Sequence, residues 1–171
     1  TKVIINVGEL LPNKNQRTAI LAMKDVVKKY PTAKLFIAGN GPELDNLTNL
    51  VKENKLEKNV EFLGYTLELN KYYNIADCAL TCSFREGLPL NVMEAMMCGN
   101  AVVASNNRGH RELVDNGITG FIVEPTNISD FADKIIKVID APEKYSKSAL
   151  KRASLFTDKN VYKELNNVYF K

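Results

Sequence analysis

Along residues 3 to 123, six short apolar runs rich in β-branched residues are separated by stretches of helical spacing, and no other feature of the sequence limits the fold so tightly. The runs are VIINV (3 to 7), KLFIAG (34 to 39), VEFLG (60 to 64), CALTCS (78 to 83), AVVAS (101 to 105) and GFIV (120 to 123). They lack clean alternation with polar residues. That is the pattern of strands covered on both faces, as parallel sheets are. Between them, helices are expected over 15 to 29, 43 to 54, 67 to 75 and 90 to 98, each with apolar residues three and four apart. In the first, Ile20, Leu21, Met23, Val26 and Val27 form the stripe. Strand then helix, repeated, makes βαβ units. The expected architecture is therefore a three-layer α/β, Rossmann-like domain with a parallel sheet of about six strands.

Beyond the sixth run only helical spacing continues, over 128 to 140, 143 to 155 and 158 to 170, the last with Val161, Leu165 and Val168 on one face. Pro142 separates the first two, and Thr157 is placed to cap the third. Elsewhere Gly39 to Pro42 ends a strand, Gly87 to Pro89 opens a helix, and Cys98 to Asn100 closes it. The chain's 171 residues, with no linker or internal repeat, suit one domain spanning 1 to 171. It opens at Thr1 within a strand pattern and without an initiator methionine, which reads as part of a longer protein.

Charge and cysteine content narrow the partners. The net charge of +3 comes from scattered lysines, without the basic stripe and interleaved aromatics of a nucleic-acid binder, so no nucleic acid is expected. Cys78, Cys82 and Cys98 make no CxxC pair, and an odd count without a targeting segment reads as free core thiols in a reducing compartment. No apolar stretch is long enough to span a bilayer. The expected location is cytoplasmic, with peripheral association at the inner face of the membrane through the rest of the protein.

In an open α/β sheet, ligands bind beyond the carboxyl ends of the strands, so the residues just after each strand carry the chemistry. The most informative segment is SFREGLPLNVMEAMMCGN, 83 to 100, after the fourth strand. It places Glu86 in the loop, Gly87 next to it, Pro89 at a first helical position and Glu94 further along the helix. Free backbone N–H groups at that helix end favour an anion such as a diphosphate. Carboxylates beside an anion are poor partners for it and good ones for hydroxyls, which a sugar and a ribose both offer. Glu94, among Val92, Met93, Ala95 and Met96, would be costly to bury unpaired, so a ligand hydroxyl or a structural lysine must satisfy it, the ligand being the expected partner.

The E-x7-E spacing in EGLPLNVMEAMMCGNAVVAS, with RGHRELVDNGITGFIV, VGELLPNKN and AGNGP, closely resembles the C-terminal domain of retaining GT-B glycosyltransferases of family 4. The forms VGEL, NKN and RGHREL are most similar to bacterial transferases of capsule or exopolysaccharide assembly. The resemblance covers nearly the whole chain. It implies a nucleotide diphosphate sugar as donor substrate, no metal or other cofactor, and an N-terminal acceptor-binding domain in the same protein, without which this domain is inactive. It implies that Glu86 lies against the donor sugar's hydroxyls without acting as a nucleophile, and that Glu94 binds the ribose hydroxyls. The backbone of Gly87, Leu88, Pro89 and Leu90 would cradle the diphosphate. Lys14 would reach the diphosphate and stabilise the leaving group. Gly64 and Tyr65 would pass the nucleobase, with uridine expected on family frequency. Transfer to a hydroxyl with retention is described in such enzymes as front-face departure and attack.

Two departures bear on these assignments. Where most of the family has an arginine after the glycine, here Gly8, this chain has Glu9, and a carboxylate there would repel phosphate. Arg17 or Arg108 supplies the missing charge, or Glu9 points elsewhere and holds Lys14 in place; the residues leave these open. In NNRGHREL, Arg108 stands at the first of two usual glycines and Gly109 at the second. Among the remaining candidates, Gly41 is a turn glycine that would also let the chain approach the ligand. His110, the only histidine, is read as shaping its loop, because the resemblance puts a catalytic histidine in the other domain. Met93, Met96 and Met97 read as core, and Tyr72 and Tyr73 as packing their helix on the sheet with one exposed. Two other functions share this architecture. A nucleotide-sugar 2-epimerase is opposed by the E-x7-E block, and a non-catalytic nucleotide-binding or interaction domain would show neither donor hydrolysis nor transfer.

Overall fold

The computed structural model describes residues 1–157 and Asn160. Six strands form one parallel sheet: β1 (Val3–Val7), β2 (Lys34–Ala38), β3 (Val60–Gly64), β4 (Cys78–Thr81), β5 (Val102–Ser105) and β6 (Gly120–Val123). Their order is β3-β2-β1-β4-β5-β6. The helices are α1 (Gln16–Lys29), α2 (Leu44–Glu53), α3 (Leu69–Ile75), α4 (Leu90–Met97), α5 (Arg108–Leu113), α6 (Ile128–Asp140) and α7 (Glu143–Ala153). This is the expected three-layer α/β domain. The helix expected over 158 to 170 lies outside the described residues, Asn160 excepted.

The apolar strands without alternation are explained by the two layers that cover them. Ile4, Leu35, Ile37, Leu80 and Val103 face α1, α2 and α6, with Phe131 and Ile135 of α6 fully buried among them. Ile5, Ala79, Val102 and Ala104 face the opposite layer of α3, α4, α5 and α7. Each strand thus contributes to both cores, and each fully buried large aliphatic or aromatic side chain stabilises the fold by about 1.5–3 kcal/mol.

Five local readings need correction. α5 was expected as loop; it forms because the Asn107 side chain accepts from the His110 N–H at 3.0 Å, capping a helix of six residues. Pro89 is the N-cap of α4, in extended conformation, and the helix proper starts at Leu90. Cys78 and Cys82 are buried, whereas Cys98 is half-buried. Of the three methionines only Met96 is core, and Met97 is exposed. Tyr73 is buried, and Tyr72, half-buried, packs edge-on against Phe36 at 5.4 Å.

Candidate functional site

β1 and β4 are sheet neighbours whose connections leave to opposite sides, so the chain diverges beyond Val7 and Thr81 and opens a crevice there. The two loops that border it are clasped together. After β1, Pro12 starts a single 3-10 turn, and Asn15 closes it in the left-handed region with a φ of 51°, where asparagine is tolerated. That turn aims three successive side chains across the crevice. The Asn13 backbone carbonyl accepts from the Phe84 N–H at 2.9 Å, and its side-chain amide donates to the Arg85 carbonyl at 3.2 Å. Lys14 Nζ donates to Glu86 Oε1 at 2.7 Å. Asn15 Nδ2 donates to the carbonyls of Cys82 and Pro125 at 3.2 and 3.1 Å. Residues 72 apart in sequence thereby form an ion pair whose side chains are only 26% and 13% exposed.

Beneath the Glu86 loop lies a buried polar cluster. His110, with no exposed surface, has Nδ1 2.8 Å from the Ser105 carbonyl and 2.9 Å from Asn107 Nδ2, and Nε2 3.4 Å from Thr81 Oγ1. Burial pushes its pKa below the ordinary value, so the imidazole is neutral near pH 7. Asn107 Nδ2 and the Ser105 hydroxyl both donate to the Ser83 carbonyl, tying α5 to the loop. Gly109 completes this support: a Cβ there would lie 2.5 Å from the Gly87 carbonyl oxygen, a closeness only glycine permits. His110 supports the loop from below, its side chain fully buried.

The third wall is α4. The N–H groups of Leu90 and Asn91 in its first turn have no intrahelical acceptor. Asn91 Nδ2 donates to the Val7 carbonyl at 2.7 Å, fixing this helix end against the end of β1. Glu94 is exposed, which overturns the expectation that it is buried on an apolar face. Its Oε2 lies 3.4 Å from the Tyr73 hydroxyl, which also stands 3.2 Å from the Asn91 carbonyl. Burial first, then the Glu94 charge, raises the Tyr73 pKa, so the phenol stays a donor. Leu88 and Leu90 are 59% and 61% exposed at the crevice mouth.

Among the described residues, three cavities of at least about 310 Å³ border these walls. One of about 310 Å³ is bordered by Gly8, Glu9, Gly39, Asn40, Tyr65 and Thr66. A second, of about 500 Å³, lies between Tyr65, Leu67, Tyr73, Glu94, Met97 and Cys98. The third, of about 570 Å³, is walled by Glu86, Gly87, Arg85, Asn106, Arg108 and Arg111. The predicted residues thus divide: Glu9 and Tyr65 line the first, Tyr65 and Glu94 the second, and Glu86, Gly87 and Arg108 the third. Glu9 does not hold Lys14, whose partner is Glu86. Arg17 is exposed near the start of α1, and Arg108 pairs with Glu112 at 3.1 Å. Gly64 ends β3, its carbonyl accepting from the Gly39 N–H at 2.8 Å. Gly41 is shaped by backbone packing, since a Cβ there would sit 2.4 Å from the Leu10 carbonyl oxygen. Sequence reasoning missed Asn13, Asn15, Asn91 and Asn107, the amides that fix the walls. Asparagines directly after a strand or opening a helix were the available signal. Among the described residues, no group of three or more His, Cys, Asp or Glu side chains could hold a metal, and no helix is long and apolar enough to cross a membrane.

Comparison with known proteins finds relatives in sequence and in fold. The family described as glycosyl transferases group 1 matches residues 1–153. A glycosyltransferase of Haemophilus influenzae is 34% identical over 163 residues, which cover 95% of this chain and 46% of the relative. The structure is similar in fold to that of Staphylococcus aureus TarM, solved as a mutant in complex with fondaparinux, alpha-GlcNAc-glycerol and UDP, with a TM-score of 0.90 and 24% identity over 99% of this chain and 36% of that one. It is similar also to Anabaena HepE in complex with UDP, with a TM-score of 0.80 and 26% identity over 90% of this chain and 43% of that one. The chain spans less than half the length of the first curated relatives it matches.

Proposed function

This chain belongs to the glycosyl transferases group 1 family, and from that premise we propose that it is the donor-binding domain of a retaining hexosyltransferase that uses a UDP-sugar. The complete enzyme, with an N-terminal acceptor-binding domain, transfers the sugar to a hydroxyl in bacterial capsule, exopolysaccharide or related glycoconjugate synthesis, in the cytoplasm or at the inner face of the membrane. The chain alone is inactive because half of the reaction site is contributed by the other domain. The observation that carries this reading is the clasp at the strand-order switch, where Lys14 and Glu86 pair at 2.7 Å beside the free N–H end of α4.

Before donor binds, the two charges are mutual counter-ions. A nucleotide sugar satisfies them separately: its diphosphate takes Lys14 and the N–H groups of Leu90 and Asn91, and its sugar hydroxyls take Glu86. Leaving-group charge then develops against a positioned ammonium and a helix N-terminus, which lowers the barrier electrostatically. Glu94, exposed on the wall of the 500 Å³ cavity, accepts from the ribose hydroxyls, and Tyr65 and Gly64 border the base. Uridine is supported by the UDP bound to the 26%-identical HepE.

Calorimetric titration with UDP, GDP and ADP in EDTA tests this reading. UDP is expected to bind selectively, and Lys14→Ala and Glu94→Ala to weaken it about 10- to 100-fold each, the loss of a hydrogen bond to a charged group. Binding that is equal for the three nucleotides, or unchanged in both variants, would refute the assignment.

A further inference from the structure

We propose that the cavity of about 570 Å³ beside Glu86 is a subsite for an anionic group, a carboxylate or a phosphate, carried by the donor sugar or by the acceptor, an inference that rests on the donor-site reading above. Charge is partitioned along the crevice. The 310 and 500 Å³ cavities carry the carboxylates Glu9 and Glu94 and no cation in their walls, whereas the third has three arginines, Arg85, Arg108 and Arg111. All three stand beyond the ends of β4 and β5, on the side of Glu86 away from the nucleotide cavities.

Their surroundings neutralise these arginines only in part. Glu86 is the cavity's own carboxylate, paired with Lys14 at 2.7 Å in the free chain and taken up by sugar hydroxyls when the donor binds. Arg85 has no side-chain partner among the described residues. Arg111 donates to the neutral amide of Asn106 at 2.6 Å, and the other end of that amide donates to Glu124. Among the described residues only Arg108 has an ion-pair partner, Glu112, with side chains 86% and 55% exposed, and such a surface pair yields readily to a ligand. The backbone carrying Arg85 is fixed by its two bonds with Asn13, one accepted and one donated by Asn13, so the guanidinium starts from an anchored loop. Guanidinium forks match carboxylate and phosphate oxygens in pairs, whereas a neutral sugar's hydroxyls make no use of the charge. A site built only for a neutral hexose and a neutral acceptor would have no use for this excess.

The test compares UDP, UDP-glucose and UDP-glucuronate by calorimetry on the chain, then titrates glycerol 3-phosphate into the UDP-saturated chain, for the wild type, Arg85→Gln and Arg108→Gln/Arg111→Gln. An anion carried by the sugar predicts UDP-glucuronate binding about tenfold tighter than UDP-glucose, equivalent to about 1.4 kcal/mol. Either variant should abolish that preference, and Arg85→Gln should leave UDP affinity unchanged. An anion carried by the acceptor predicts equal affinity for the two donors, with glycerol 3-phosphate binding that both variants remove. UDP binding with neither preference nor phosphate binding overturns the anionic subsite and leaves the donor site standing. Failure of all three uridine ligands to bind removes the donor reading and this inference with it.

Discussion

Gly109→Ala probes the support of the Glu86 loop directly. The added Cβ would lie 2.5 Å from the Gly87 carbonyl oxygen and 2.8 Å from that of Glu86. Real Cβ atoms essentially never approach under 3.0 Å, so backbone must retreat by at least about 0.5 Å. α5 cannot easily give way, because Asn107 caps it at 3.0 Å and also grips the Ser83 carbonyl at 2.9 Å. The loop moves instead. Overpacking against backbone costs about 1–3 kcal/mol, which for a domain of this size lowers Tm by about 2 to 12 °C. The same shift displaces Glu86 from Lys14, and misplacement on an ångström scale costs about 100-fold in rate. Gly87→Ala is the matched control: nothing stands within 4 Å of its Cβ, so its stability should change by no more than about 0.5 kcal/mol. Thermal melts of both variants, with initial transfer rates in the full-length enzyme, provide the measurement. A Gly109→Ala melt within about 1 °C of wild type, or a larger loss in Gly87→Ala, would refute the claim that α5 backs the loop.

Three further outcomes are expected. In a double-mutant cycle on stability, Lys14→Met and Glu86→Gln should couple by about 1 kcal/mol, between the values for surface and buried pairs; additive losses would mean that the pair is incidental. Thiol labelling of the native chain should modify Cys98 first and be slowed by UDP, because Cys98 lines the Glu94 cavity, whereas burial pushes Cys78 up to about 12 and Cys82 higher still. Labelling of Cys78 or Cys82 at the same rate would contradict their burial. Burial holds the folded-state pKa of His110 below its ordinary 6.5, so its contribution to stability is whole above that value and is lost as pH falls through the folded pKa. Tm should therefore fall between about pH 7 and pH 5 more steeply in wild type than in His110→Asn; parallel profiles would show that the imidazole does not titrate with unfolding.

The sequence alone determined the layers, because burial of a strand on two faces leaves a local trace. The runs at 3 to 7, 60 to 64 and 120 to 123 coincide with β1, β3 and β6, and the spacing at 128 to 140 with α6. The E-x7-E block likewise marked the loop and helix that border the crevice. What escaped depends on contacts between distant residues. α5 has six residues with a glycine inside, too few for a periodic signal, and it is held by its Asn107 cap and by the ends of β4 and β5. Glu94 sits on an apolar helix, yet its exposure is set by where α4 meets α3 and the Tyr65 loop, which no window of sequence contains. The pairing of Lys14 with Glu86 and the separation of arginines from carboxylates along the crevice arise only when the strand order brings β1 beside β4. Local patterning specifies which elements form, since propensity and burial act on neighbours in the chain. The order of the sheet specifies which charges meet, since Coulomb forces and hydrogen bonds act across space.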